Sequence, residues 1–118
     1  MPRAPETIKQ RRDFLACAKA RRAAMPGLIV QGRQRTPADQ GDLRVGYTCS
    51  KKVGNAVARN RAKRRLRAAA AEVLPRLGHA GWDYVLIGRS GVTAMRGFLD
   101  LCGDLQKALA LIHKDGKS

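Results

Sequence analysis

Residues Leu43 to Arg67 read LRVGYTCSKKVGNAVARNRAKRRLR, a strand, a turn and the start of a long helix. Leu43, Val45, Tyr47 and Cys49 alternate with Arg44, Gly46, Thr48 and Ser50, which predicts a strand with one apolar face. Asn55 after Gly54 is a favourable N-cap, and the helix is expected to run to about Leu74, with Pro75 marking its exit. Ala58, Ala62, Leu66, Ala69 and Val73 recur at helical spacing and make one apolar stripe, whose alanines allow close approach to a sheet. Asn60, Arg64 and Arg67 lie roughly opposite, Arg61 and Lys63 fall to either side of them, and Arg59 and Arg65 flank the stripe.

The neighbouring segments complete an α+β pattern. Downstream, Trp82–Ile87 is a continuous apolar run, expected to be a central strand. Gly88–Gly91 breaks it, and a last helix spans roughly Ala94 to His113, with Phe98, Leu101, Cys102, Leu105, Leu109 and Ile112 as its core stripe. Upstream, Leu28–Gln31 reads as a strand with Leu28 and Val30 on one face and Ile29 and Gln31 on the other. A loop over 36–42 would join it to the Leu43–Ser50 strand as an antiparallel pair. A first helix is expected from Lys9 to Ala24, ended by Met25-Pro26-Gly27. Residues 1–8 are expected to be a flexible basic arm, residues 9–113 one domain, and residues 114–118 a C-terminal tail. The order helix, strand, strand, helix, strand, helix describes a single-domain α-β sandwich, a small sheet with helices packed on it.

Charge narrows the function. The chain has 118 residues and a formal net charge of +15. From Lys51 to Arg67 there are eight cations and no acid. Such a run repels itself unless an anion is near, and a polyphosphate chain is the natural partner. A solvated charged face is the blander alternative, disfavoured because six cations fall within Arg59–Arg67. No apolar run approaches the ~20 residues of a membrane span, and no secretory leader is evident, so a cytoplasmic location is expected. Cys17, Cys49 and Cys102 have no metal-ligand spacing and read as buried thiols. The acids are dispersed, with Asp104 expected to face water. His79 and His113 appear isolated. No phosphate-binding glycine loop is present. No catalytic residues are therefore assigned to the protein alone. Asn60 could read a base or hold a hydrated metal ion from the second shell. Charge leaves DNA and RNA undecided.

One resemblance is specific. Arg44-Val45-Gly46, then Ser50-Lys51-Lys52-Val53-Gly54-Asn55-Ala56-Val57, Arg59-Asn60-Arg61, Lys63-Arg64 and Arg67, closely resembles the signature of the bacterial ribonuclease P protein subunit. Phe14 and Tyr84-Val85-Leu86-Ile87-Gly88-Arg89 fit in order, so the likeness covers about residues 9 to 113. It implies a small basic partner of a large catalytic RNA, together removing the 5′ leader of precursor tRNA by Mg²⁺-dependent phosphodiester hydrolysis on the RNA. It implies contact of the RNA subunit with Arg59, Asn60, Arg61, Lys63, Arg64, Arg65 and Arg67. It implies a leader-binding cleft lined by Phe14, Ile29, Gln31, Thr48, Ser50, Lys51 and Lys52, with Arg59 and Asn60 at its edge. It further implies a left-handed β-α-β crossover, as in a domain of a small-subunit ribosomal protein. Generic rules favour the opposite hand. No obligate protein partner and no membrane are implied. Two positions depart from the family pattern, Ala18 and Gln31, where many members carry aromatics. Base stacking on a ring is worth ~1–3 kcal/mol, so leader binding here is expected to lean on Phe14, hydrogen bonds and charge. The competing readings are a structural RNA binder, such as a small ribosomal protein, and a DNA binder using its long helix.

Overall fold

The computed structural model describes residues 5–36 and 41–114, the side chain of Lys51 excepted. Its elements are β1 (Glu6–Thr7), α1 (Arg11–Ala18), β2 (Arg21–Ala24), β3 (Leu28–Gln34), β4 (Arg44–Cys49), a 3-10 turn (Lys51–Val53), α2 (Ala56–Leu77), β5 (Trp82–Gly88), α3 (Val92–Met95) and α4 (Phe98–His113). The strands form one sheet in the order β1-β4-β5-β3-β2. As its apolar run predicts, β5 is central. It pairs parallel with β4 and antiparallel with β3.

Two faces of unequal cover follow. Leu28, Val30, Val45, Tyr84 and Leu86 pack with Leu66, Ala69, Val73 and Leu74 of α2 and with Leu101, Leu105, Leu109 and Ile112 of α4. The α2 stripe is thus buried as its spacing requires, and the Asn55 side chain caps the helix by accepting from the Ala58 N–H at 3.0 Å. Among the described residues, the other face carries only α1. There Ile8, Cys17 and Val85 make a small core with Phe14 and Ile87 against it.

Several expectations are corrected. The first helix stops at Ala18, and Arg21–Ala24 is instead a strand, hairpinned onto β3. Helix propensity in KARRAA yields to the hairpin closed by Met25-Pro26-Gly27, because ladder pairing and burial of Ala23 outweigh a few tenths of a kcal/mol per residue. β3 and β4 are not paired, since β5 lies between them. The arm expected over 1–8 supplies β1, parallel to β4, and buries Ile8. Residues 1–4 of that arm and 115–118 of the tail lie outside the described residues. Pro75 sits inside the last turn of α2 rather than beyond it. The last helix is divided by Arg96-Gly97 into α3 and α4, and Phe98 is partly exposed at the surface instead of in the core.

Asp104 is buried, not solvated. It accepts from the Gly27 N–H at 2.9 Å and from Arg96 at 2.5 Å. Asp83, within the apolar β5 run, is fully buried and accepts from Arg33, Arg35 and Arg44 at 2.7–2.9 Å. The two histidines are not isolated. Their rings stack with centroids 3.6 Å apart, and Tyr84 Oη lies 2.7 Å from His113 Nε2. The three cysteines are free and buried, as expected. Burial pushes the Cys17 thiol up to about 11, Asp83 adding to the effect, which leaves it unreactive. Among the described residues, no helix is long and apolar enough to cross a membrane.

Candidate nucleic-acid interfaces

The first interface is the open sheet face. Register aligns its rows: Gly46, Val85 and Gln31 face one another across β4, β5 and β3, and beside them Thr48, Ile87 and Ile29 do the same. α1 crosses one end of these rows. A Cβ on Gly46 would stand 2.5 Å from the Phe14 ring, so the glycine gives that ring its seat. Past the ring the floor is uncovered. A groove of about 550 Å³ is lined by Lys9, Arg11, Phe14, Leu15, Ala18, Gln31, Tyr47, Thr48, Val85 and Ile87. A second hollow of about 350 Å³ is lined by Ile29, Ser50, Lys52, Arg89 and Ser90, among others, and shares Ile87 with the first. The two make one trough, apolar on its floor and cationic on its rim.

Its inner end is fixed by a polar clamp. Thr93 Oγ1 donates to the Gly27 carbonyl at 2.6 Å while accepting from the Arg89 N–H at 2.7 Å. The Arg89 guanidinium donates to the Met25 carbonyl at 2.7 Å, and Ser90 Oγ to the Lys52 carbonyl at 2.9 Å. These bonds hold the β2–β3 turn, the end of β5 and the 3-10 turn in one geometry. A concavity of about 560 Å³ elsewhere is lined by Pro5, Glu6, Asp42, Leu43, Pro75, Gly78 and Ala80. With two carboxylates and no cation among these lining residues, it suits a phosphate chain poorly.

The second interface is the outer side of α2. Arg59, Asn60, Arg61, Arg64 and Arg67 are exposed and Lys63 is half-buried. Arg59, Arg61, Lys63 and Arg64 have no ion-pair partner among the described residues. An array of guanidinium forks on a rigid helix can bind successive phosphates bidentately. Arg67 stands 5.2 Å from the centroid of the Tyr47 ring, and burial pushes the Tyr47 hydroxyl up to about 12 although Arg67 pulls it the other way. Arg65 differs from its neighbours. It donates to the Thr93 carbonyl at 3.0 Å and to the Arg96 carbonyl, tying α2 to the α3–α4 corner.

A model of the ribonuclease P protein family matches residues 1–113. The chain belongs to that family. It is 57% identical over 106 residues to the ribonuclease P protein component of Ruegeria pomeroyi, spanning 90% of this chain and 85% of that one. It is 45% identical over 120 residues to that of Caulobacter vibrioides, spanning 98% of this chain and 79% of that one. Among solved structures, the Staphylococcus aureus RNase P protein superposes with a TM-score of 0.69 at 28% identity, covering 89% of this chain and 93% of that one. The Thermotoga maritima RNase P protein shares the fold at a TM-score of 0.71 and 24% identity, covering 92% and 96%.

The residues that the ribonuclease P resemblance implies for the cleft are largely brought together. Phe14, Gln31 and Thr48 line the larger hollow, and Ile29, Ser50 and Lys52 the smaller. The Lys51 side chain lies outside the described part of the structure. Arg59 and Asn60 line neither hollow and belong to the α2 surface. Lys9, Arg11, Ile87 and Arg89 join the trough although none of them was expected in the cleft. For Ile87 the signal was available in its alternation with Leu86. For Lys9 and Arg11 it was not, because the direction of α1 across the sheet is a tertiary property.

Proposed function

We propose that this chain is the protein subunit of ribonuclease P. In this proposal it binds the catalytic RNA through Arg59, Asn60, Arg61, Lys63, Arg64 and Arg67 of α2. It holds the single-stranded 5′ leader of precursor tRNA in the trough formed by Phe14, Ile29, Gln31, Thr48, Ser50, Lys52 and the backbone around Lys51. The observation that carries it is the presence of two separate surfaces suited to nucleic acid on one small domain: an apolar-floored, cation-rimmed trough and a helix on which Arg59, Arg61, Lys63 and Arg64 have no ion-pair partner among the described residues. A purely structural RNA binder needs only the second.

The trough is suited to a single strand. Its floor of Ile29 and Ile87 and the edge of Phe14 accept base faces, while Lys9, Arg11, Lys52 and Arg89 can meet phosphates. Gln31 and Thr48 supply hydrogen-bonding groups where an aromatic is lacking.

Mg²⁺ is assigned to the RNA and the substrate. The described residues do not fit a protein-held ion: no three His, Cys, Asp or Glu side chains converge, and the buried Asp83 and Asp104 are committed to arginines. The protein's part is to position the leader and screen phosphate repulsion between substrate and catalytic RNA. Reconstitution with a bacterial ribonuclease P RNA and precursor tRNA tests this. The protein should accelerate leader removal most at low Mg²⁺, where screening is scarce, and do nothing without the RNA. No stimulation at any Mg²⁺ concentration would overturn the assignment.

A further inference from the structure

The sheet does not end at β3. β2 adds one more strand at the sheet edge, and its register places Arg22 opposite Gln31 and Ala24 opposite Ile29. The row Gly46, Val85, Gln31 therefore ends in Arg22, and the row Thr48, Ile87, Ile29 ends in Ala24. Alternation fixes the side. Ala23 is buried in the core shared with α2 and α4, and the neighbouring Arg21 donates to the Ile112 carbonyl of α4. Arg22 consequently projects to the open face, beside the C-terminal end of α1. Its side chain is exposed and makes no hydrogen bond or ion pair with any described residue. Ala18 of α1 and Ala24 of β2 are small, so neither of these two side chains closes the trough between Gln31 and the sheet edge.

We propose that Arg22 is a phosphate-binding residue at the outer mouth of the trough, and that the leader crosses the sheet from β4 to β2 to reach it. The proposal rests on the trough being the leader site. Three strand spacings of ~4.8 Å make the crossing ~14 Å long, which about four stacked nucleotides would span at ~3.4 Å each. The nucleotides near the cleavage point lie toward β4 and α2, and Arg22 meets the leader beyond them. A guanidinium there supplies by charge part of what the missing aromatics at Ala18 and Gln31 would have supplied by stacking.

The consequence is a dependence on leader length. The experiment uses the protein reconstituted with ribonuclease P RNA and measures affinity for mature tRNA and for precursors with leaders of about two and about eight nucleotides. In the wild type, affinity should rise from mature tRNA to the short and again to the long leader. Arg22→Ala should weaken the long-leader precursor about tenfold, roughly one charge-assisted contact, and leave the short one unchanged. The salt dependence for the long leader should flatten by about 0.7 in slope, and Arg22→Lys should restore part of the affinity. Equal losses for both leaders, or no loss for either while the wild type still prefers the long one, overturns the role of Arg22. So does a fall in Tm with losses on every substrate, which would make Arg22 a support for the α1 C-terminus. A wild-type complex that does not distinguish any leader from mature tRNA overturns the trough itself.

Discussion

At Gly46 the sequence signature and the packing meet in one atom. The position has no Cβ because the Phe14 ring lies where one would be. Gly46→Ala should displace the ring, cost about 1–3 kcal/mol as overpacking and weaken precursor binding. Thermal melts and leader-dependent affinity check it, and an unchanged Tm would show that the ring is not seated there. Both residues stood out in the sequence, but their contact did not, because it depends on how α1 crosses β4. Asp83 was missed for a similar reason. A lone carboxylate in an apolar strand signals a buried partner, yet its arginines come from two separate segments, aligned only by register: Arg44 and Arg33 flank it in the same row, and Arg35 follows Arg33 by two residues.

The elements divide the arginines into two kinds of work. On α2 the helical phase was legible, and it separates buried Leu66 and Val73 from exposed Arg59, Arg61 and Arg64 correctly. Phase could not show that Arg65 reaches across to α3, since the α3–α4 break at Arg96-Gly97 was read as continuous helix. Replacing Arg59, Arg61 and Arg64 with Ala should weaken binding to the catalytic RNA, flatten its salt dependence and leave the melting temperature nearly unchanged. Arg65→Ala should do the reverse, costing about 1–2 kcal/mol through two lost hydrogen bonds to carbonyls. If Arg65→Ala melts like the wild type and loses RNA affinity, its tether is not structural. The β2 strand is the largest element misread. Its residues are good helix formers, and only the turn at Met25-Pro26-Gly27 with a partner strand beyond it decides otherwise.

For the whole molecule, stability is tied to acid pH by two groups, the half-buried His113 and the buried Asp83. Burial, His79 and Arg21 together hold His113 down to about 4 from its ordinary 6.5. Tyr84 Oη accepts from the His79 N–H and so has its proton for His113 Nε2, which favours the neutral ring. The unfolded chain takes up this proton first, so stability is complete above pH 6.5 and falls as pH drops toward about 4. Burial alone would raise Asp83, but hydrogen bonds from Arg44, Arg33 and Arg35 outweigh it and bring the carboxyl to about 2 from 3.8. Its contribution is present above pH 3.8 and is lost as pH falls toward about 2. Melting temperature should therefore decline in two stages. His113→Gln should remove the upper one, and a decline that begins only below pH 4 would contradict the histidine assignment. The α+β class, the central strand and the basic helix were all legible, because each is written in local periodicity. The edge strands and the strand order were not, because they are decided by pairing between distant segments. The central claim is that one domain carries two RNA surfaces, of which the trough reads the leader. The most direct measurement compares the affinities of ribonuclease P RNA for precursor and mature tRNA, with and without this protein. The protein should strengthen precursor binding and leave mature tRNA binding unchanged. An equal gain for both would contradict the account.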